Sequence, residues 1–200
     1  MEYLIRNVII PINEITQANE LALLKERAAR LAHVSLDDIR DLRIIRESVD
    51  SRKKHHITMV YTLLVRLDGP IKEGKDILIH KPQAAVPFFG GTPMIRPVIV
   101  GAGPCGLFCA YTLVENGFSP IVIERGQEVE KRSECVQRFW RDGILNTETN
   151  VQFGEGGAGT FSDGKLTTRI NDPRSSGVLE AFVRFGAPPD IQYKAKAHIG

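Results

Sequence analysis

Gly101, Gly103 and Gly106 stand at the spacing G-x-G-x-x-G, directly after three apolar residues, Val98, Ile99 and Val100. Glycines at this spacing let a chain turn sharply out of a strand. They also let backbone approach a diphosphate with no Cβ in the way, and let the following helix pack close to its sheet. That helix, with Pro104 and Cys105 in its first turn, offers unpaired N–H groups and the positive end of its dipole to an anion. After Gly117 a second apolar run, Ile121-Val122-Ile123, closes on Glu124, 23 residues beyond Gly101. A carboxylate there can accept hydrogen bonds from both hydroxyls of a ribose and repels a ribose 2′-phosphate. The chemistry is dinucleotide binding, with NADP disfavoured in this site. An ordinary strand–turn–helix with incidental glycines would not carry the acid at that distance. A membrane span over residues 98–114 is too short and holds three glycines and a proline.

A second constellation lies at residues 150–169, NVQFGEGGAGTFSDGKLTTR, with Gly154, Gly156, Gly157, Gly159 and Gly164. Glycine at this density loses much conformational entropy on ordering. It suits backbone that passes close to a planar ligand or an anion. A flexible surface loop would fit the glycines but not the embedded Phe153, Phe161 and Leu166. Thr160, Ser162, Asp163 and Lys165 offer hydrogen-bonding and proton-transfer groups, and none has the nucleophile–base spacing of a hydrolase. Arg125 can neutralise or stack on a nucleotide, and Arg132 can reach a phosphate from its helix; the alternative for both is an exposed charge. Trp140, between Phe139 and Arg141, reads as packing.

The elements that must hold these residues follow from composition and periodicity. The chain has 200 residues, 42% hydrophobic and 25% charged, with a net charge of +2, which suits one or two globular domains. Basic residues number 15 against 12 acidic in residues 1–96 and 11 against 12 in the remainder, so neither part is basic enough to argue for nucleic acid. Cys105, Cys109 and Cys135 form no disulfide framework and suit a reducing, cytoplasmic compartment. Cys105 and Cys109, four apart on one helix face, read as small buried residues rather than a redox pair. The N-terminus MEYLIRNVIIP lacks the apolar core of a signal peptide, and nothing else anchors the chain to a membrane.

Residues 2–10 read as a strand ended by Pro11. A helix capped by Thr16 runs to Ala32, with Leu21, Leu24, Ala28 and Leu31 at helical spacing. Ser35-x-x-Asp38 caps a short second helix. Leu42 to Val49 and His56 to Leu67 read as strands, the latter alternating through Ile57, Met59, Tyr61, Leu63, Val65 and Leu67. The unit is a small α+β, ferredoxin-like domain over residues 1–81, completed by a strand near Ile77-Leu78-Ile79. Between its second and third strands lies Ser51-Arg52-Lys53-Lys54-His55-His56. This is either a basic loop for a phosphate, RNA backbone or acidic partner, or a solvated hairpin tip; the lack of interleaved aromatics favours the tip. Adjacent histidines on a strand point apart and share one metal poorly. Residues 82–96 read as a breaker-rich linker, pinned by Phe88 and Phe89, and residues 97–200 as the glycine-turn domain. Within it, residues 128–140 and 175–186 read as helices.

The sequence GAGPCGLFCAYTLVENG followed by IVIERG resembles flavoprotein oxidoreductases with a Rossmann-type FAD domain. With RFWRDGILNTETNVQFGEGGAGTFSDGKLTTRI, RESVDSRKK and ITMVYTLLVRL, nearly the whole chain is similar to the bacterial uncharacterised FAD-dependent dehydrogenases, also described as NAD(FAD)-utilising dehydrogenases. The resemblance implies FAD as cofactor, with NAD(P)H as candidate electron donor. By position, Gly101, Gly103 and Gly106, with Pro104 and Cys105 between, hold the pyrophosphate, and Glu124 the adenosine ribose. Gly157, Ala158, Gly159 and Thr160 match the segment near the flavin. Members of that group run to roughly twice this length or more and carry a substrate domain, so the resemblance implies that this chain is a fragment with an incomplete Rossmann-type domain. Two other readings stand beside it. One is an NAD-binding dehydrogenase of the same fold, against which the second glycine cluster argues. The other is a non-catalytic RNA- or protein-binding module centred on the N-terminal domain.

Overall fold

The computed structural model describes residues 1–82, 96–168, 170 and 172–199. The expected linker core and its Phe88 and Phe89 lie outside the described residues. The elements in chain order are β1 (Glu2–Pro11), α1 (Glu20–Ala32), β2 (Ile39–Asp50), β3 (Thr58–Leu67), β4 (Ile77–Ile79), β5 (Val98–Val100), α2 (Pro104–Glu115), β6 (Ile121–Ile123), α3 (Val129–Asp142), β7 (Lys165–Leu166), α4 (Arg174–Arg184) and β8 (Ala197–His198). Contacts divide the chain into two compact units, Met1–Ala84 with Lys165–Ile199, and Ala85–Gly164 with Gly200.

In the first unit, alternating large apolar residues make an antiparallel sheet in the order β2-β3-β1-β4. Tyr61, Leu63, Val65 and Leu67 of β3 face the same core as Tyr3, Ile5, Val8 and Ile10 of β1. The step from Ile5 to Val8 is three residues rather than two. A bulge at this point, with Asn7 at φ 54°, absorbs the odd residue and keeps the apolar side inward. Leu24, Ala28, Ala29 and Ala32 of α1 close the core. They recur at i, i+4 and i+8, which puts them on one helix stripe.

The first helix starts later than its expected Thr16 cap. Thr16 instead accepts the N–H groups of Asn19 and Glu20 through its backbone carbonyl, and Asn19 occupies the cap position. The Ser35–Asp38 capping box forms as the sequence reads, around a single 3-10 turn. At the other end of α1, the hydroxyl of Tyr61 donates to Glu20 Oε1 at 2.6 Å. Burial, with that bond second, pushes the hydroxyl well above its usual range.

Residues 165–199 belong to this unit, where the sequence boundaries had grouped them with the glycine turn. The reason is strand pairing: β7 pairs with β8, and the backbone of Tyr193–Ala195 bonds to both sides of Glu47 on the outer edge of β2. The loop between β2 and β3 is exposed, and Arg52 folds back on Asp50 at 2.6 Å. That is the behaviour of a solvated hairpin tip.

The second unit carries β5 and β6 as a parallel pair in the register Val98↔Ile121, Ile99↔Val122, Val100↔Ile123, with α2 as the crossover. α3 and a long loop follow. Among the described residues, no helix is long and apolar enough to cross a membrane.

Candidate dinucleotide-binding site

Gly101 leaves β5 at φ 101°, a conformation that favours glycine, and its N–H donates to the Ile123 carbonyl at 2.7 Å. The turn is thereby locked to the end of β6. Gly106 shows why the third glycine is needed: a Cβ there would stand 1.9 Å from the Gly101 carbonyl oxygen. Gly103 differs, with nothing within 4 Å of a Cβ and an ordinary φ of −78°. Its lack of a side chain leaves open space in front of the first turn of α2. This helix has no side-chain cap, and its leading N–H groups have no intrahelical partner.

Glu124 sits at the end of β6, as expected, and reaches back to the turn. Its Oε2 accepts the Ala102 N–H at 2.7 Å and its Oε1 accepts the Gly126 N–H at 2.8 Å. These two bonds, Ala102 first, hold the carboxyl below its usual range. It is therefore ionised at neutral pH, and each oxygen keeps a further acceptor position.

The second glycine segment lies against the first. The Gly156 N–H donates to the Ala102 carbonyl at 2.8 Å. A Cβ on Gly157 would stand 2.9 Å from Pro104 Cδ and 3.3 Å from Gly103 Cα, and Gly157 has φ 65°. Ala158, Gly159 and Thr160 then make a 3-10 turn capped by Gly157. The structure thus brings together Gly101, Gly103, Pro104, Gly106, Glu124 and Gly157–Thr160. Cys105 and Cys109 are exposed, contrary to the expectation of small buried residues, and α2 buries none of its side chains.

Arg132 is the main correction. The expected phosphate-reaching arginine is fully buried, at 0% exposure. Its Nε donates to the Asn150 carbonyl at 2.9 Å, its Nη2 to Val151 at 2.9 Å, and its Nη1 to the Glu155 carbonyl and to Thr160 Oγ1. The guanidinium also lies 4.9 Å from the Phe161 ring centre. Gly154 is needed for this: at φ 120°, a Cβ would stand 2.6 Å from Arg132 Cδ. Arg132 therefore folds the second glycine loop by collecting its carbonyls, and has no surface left for a ligand. Burial pulls its pKa down, yet a guanidinium stays charged. Arg125 remains exposed, paired with Glu148 at 2.9 Å and 5.5 Å from the Phe153 ring centre. Trp140 packs edge-on against Phe161.

Several residues of this architecture carried no signal of their own in the sequence. Thr149 and Asn150 are buried; Thr149 Oγ1 accepts the Gln127 N–H, and Asn150 Oδ1 accepts those of Gln152 and Phe153. Glu155 Oε2 accepts the first N–H of α3, from Val129. Gly126 and Gly154 press backbone to backbone, a Cβ on Gly126 standing 2.5 Å from Gly154 Cα. The string NTETN before the glycine cluster is the signal that could have marked the turn, since short polar side chains bond local backbone. Of the other polar candidates, Ser162 Oγ accepts the Gly164 N–H, and Lys165 opens β7 in the other unit.

The fold and site define a class: a mixed α/β chain with a dinucleotide-binding strand–turn–helix. Residues 99–142 match the family described as NAD(P)-binding Rossmann-like domain, and residues 4–66 match a domain of unknown function (DUF8436). The chain is also similar to an uncharacterized protein of Clostridium beijerinckii, 46% identical over 201 residues covering 96% of this chain. The chain spans 38% of the length of that relative.

Proposed function

We propose that this chain is part of an FAD-dependent oxidoreductase. The observation that carries the reading is the contact between two glycine segments beside an ionised acid: Gly157 against Gly103–Pro104, and Glu124 bonded to the turn. A single nucleotide loop needs only the first segment. A second glycine strip pressed on it extends the cradle, which suits the longer FAD. The open space before Gly103 fits a pyrophosphate, received by the leading N–H groups of α2. Glu124 would take the adenosine ribose, and Gly157–Thr160 would lie along the cofactor. Bound flavin supplies the redox chemistry, accepting a hydride from a donor such as NAD(P)H and passing electrons on.

Three finer assignments belong to the same proposal. The sheet order β2-β3-β1-β4 supports a ferredoxin-like N-terminal module, with a turn in place of a second helix between β3 and β4. The parallel pair β5–β6 is one part of a larger sheet, since Val100 is 85% exposed and parallel sheets cover both faces. The setting is cytoplasmic.

The test is FAD binding followed by flavin fluorescence, in wild type and Gly103→Val. A Cβ at 103 has no protein atom within 4 Å, and the branched valine side chain would fill the space a pyrophosphate needs. FAD affinity should fall by ~10-fold or more with an unchanged melting point. A chain that ignores FAD and quenches NADH fluorescence would overturn the flavin reading in favour of an NAD site. Binding indifferent to valine would remove the site from this loop.

A further inference from the structure

Both strands beside β3 carry a bulge, and the two bulges sit at one level. On β1, Ile5 pairs with Leu63 and Val8 with Tyr61, so Arg6 and Asn7 together oppose Thr62. On β2, Ile44 pairs with Leu63 and Arg46 with Thr62, leaving Ile45 as the added residue. Strict alternation would send Arg46 to the face that α1 covers. The bulge turns it to the other face instead, beside Thr62 and across from Arg6. Bulges re-aim side chains in this way and concentrate beside binding sites.

Arg6, Arg46 and Thr62 line a cavity of about 1280 Å³ that lies wholly within the first unit. It is large enough for a drug-sized ligand with accompanying water. Val178, Leu179 and Phe182 of α4 also line it. The charge is one-sided. Four lining residues are cationic, Arg6, Arg46, Lys165 and Lys194, and among the described residues no aspartate or glutamate lines it. Lys194 is held by Asp190 at 2.5 Å, so the arginine pair at the bulges is the better anchor. Arg6 and Arg46 are both exposed, and their planar forks match carboxylate or phosphate.

We propose that this cavity binds an organic anion, a carboxylate or phosphate on an apolar body. The head lies between Arg6 and Arg46 over Thr62, and the body lies along Val178 and Phe182. The site shares no residue with the dinucleotide loop and stands or falls apart from it.

Calorimetric titration of the whole 200-residue chain with octanoate, octyl phosphate and octanol tests this. Both anions should saturate, and octanol should bind ~10-fold more weakly or worse. Whichever anion binds more tightly identifies the head group. R6Q and R46Q should each weaken both anions ~10-fold, leave octanol unchanged and preserve the melting point. F182A should weaken all three probes. Independently of any variant, added salt should weaken the anions and leave octanol alone. The proposal is overturned if octanol binds as well as the anions, if neither anion saturates, or if anion binding ignores both arginines and salt.

Discussion

The two units use apolar strands in opposite ways. In the first, Tyr3, Ile5, Val8, Ile10, Leu63 and Val65 are 1% exposed or less, because α1 lies over one face of an antiparallel sheet. In the second, the strands are as apolar, yet Val98, Val100 and Ile123 are all more than half exposed. Among its described residues the largest fully buried side chain is a charged one, Arg132, joined by Val136. The first unit is held by burial of apolar area and the second by a buried guanidinium that gathers carbonyls. Local glycine chemistry suffices to shape a nucleotide loop, whereas an apolar core needs partners far along the chain.

The sharpest way to break this contrast is Arg132→Met. Methionine fills part of the volume and bonds none of the carbonyls. Buried carbonyls left without donors cost about 1–3 kcal/mol each, so the second unit should lose about 3 kcal/mol or more. Trp140, the chain's one tryptophan, packs on Phe161 and reports on this unit alone. Its fluorescence transition should move to lower denaturant, while the far-UV signal of the first unit stays. An unmoved Trp140 transition would mean that the guanidinium does not hold the loop.

Gly106→Ala comes next. Its Cβ would lie 1.9 Å from a backbone oxygen, so α2 must move away from the turn. Overpacking of this kind costs about 1–3 kcal/mol, and here it also displaces the N–H groups that face a phosphate. Trp140 fluorescence measures the first effect and FAD titration the second.

In the first unit the comparable polar contact is Tyr61 to Glu20. Tyr61→Phe removes one hydrogen bond and leaves the apolar core intact, for a loss of about 1 kcal/mol. The raised pKa adds a pH test with a definite sign. The native state keeps the hydroxyl protonated where an unfolded tyrosine, near 10, would ionise. The contribution is therefore full below pH 10 and is lost as pH rises beyond it. In an absorbance titration near 295 nm, Tyr61 should ionise only with unfolding, and Y61F should flatten the alkaline loss of stability.

What the sequence makes legible follows the same division. The alternation in β3 is periodic, readable and found, whereas the α1 stripe is found only in part: Leu24 and Ala28 are buried, but Leu21 and Leu31 are exposed and Ala29 and Ala32 face the core instead. The glycine turn and Glu124 are readable because their spacing is dictated by backbone geometry alone. Arg132 is not, since nothing in a helical arginine says whether its partners are solvent, phosphate or carbonyls 18 to 23 residues away. The bulges at Asn7 and Ile45 are equally hidden, because an added residue looks like a break in period until its partner strand is known. Residues 165–199 carry no sequence signal of their place, which is set by strand pairs with β2 and within the segment itself.

The smallest effect sharpens the comparison most directly, because it repeats the Gly106 substitution with the opposite sign. Gly177 lies inside α4 with nothing within 4 Å of a Cβ, and its φ needs no glycine. Alanine there restricts the unfolded chain and strains nothing, so Gly177→Ala should stabilise the first unit by about 0.5 kcal/mol. The same methyl group thus destabilises one helix and stabilises another, and the only difference is the distance to the nearest backbone atom. Far-UV thermal unfolding reads the shift, with Trp140 unchanged. A loss of stability would mean that this exposed face of α4 packs against something.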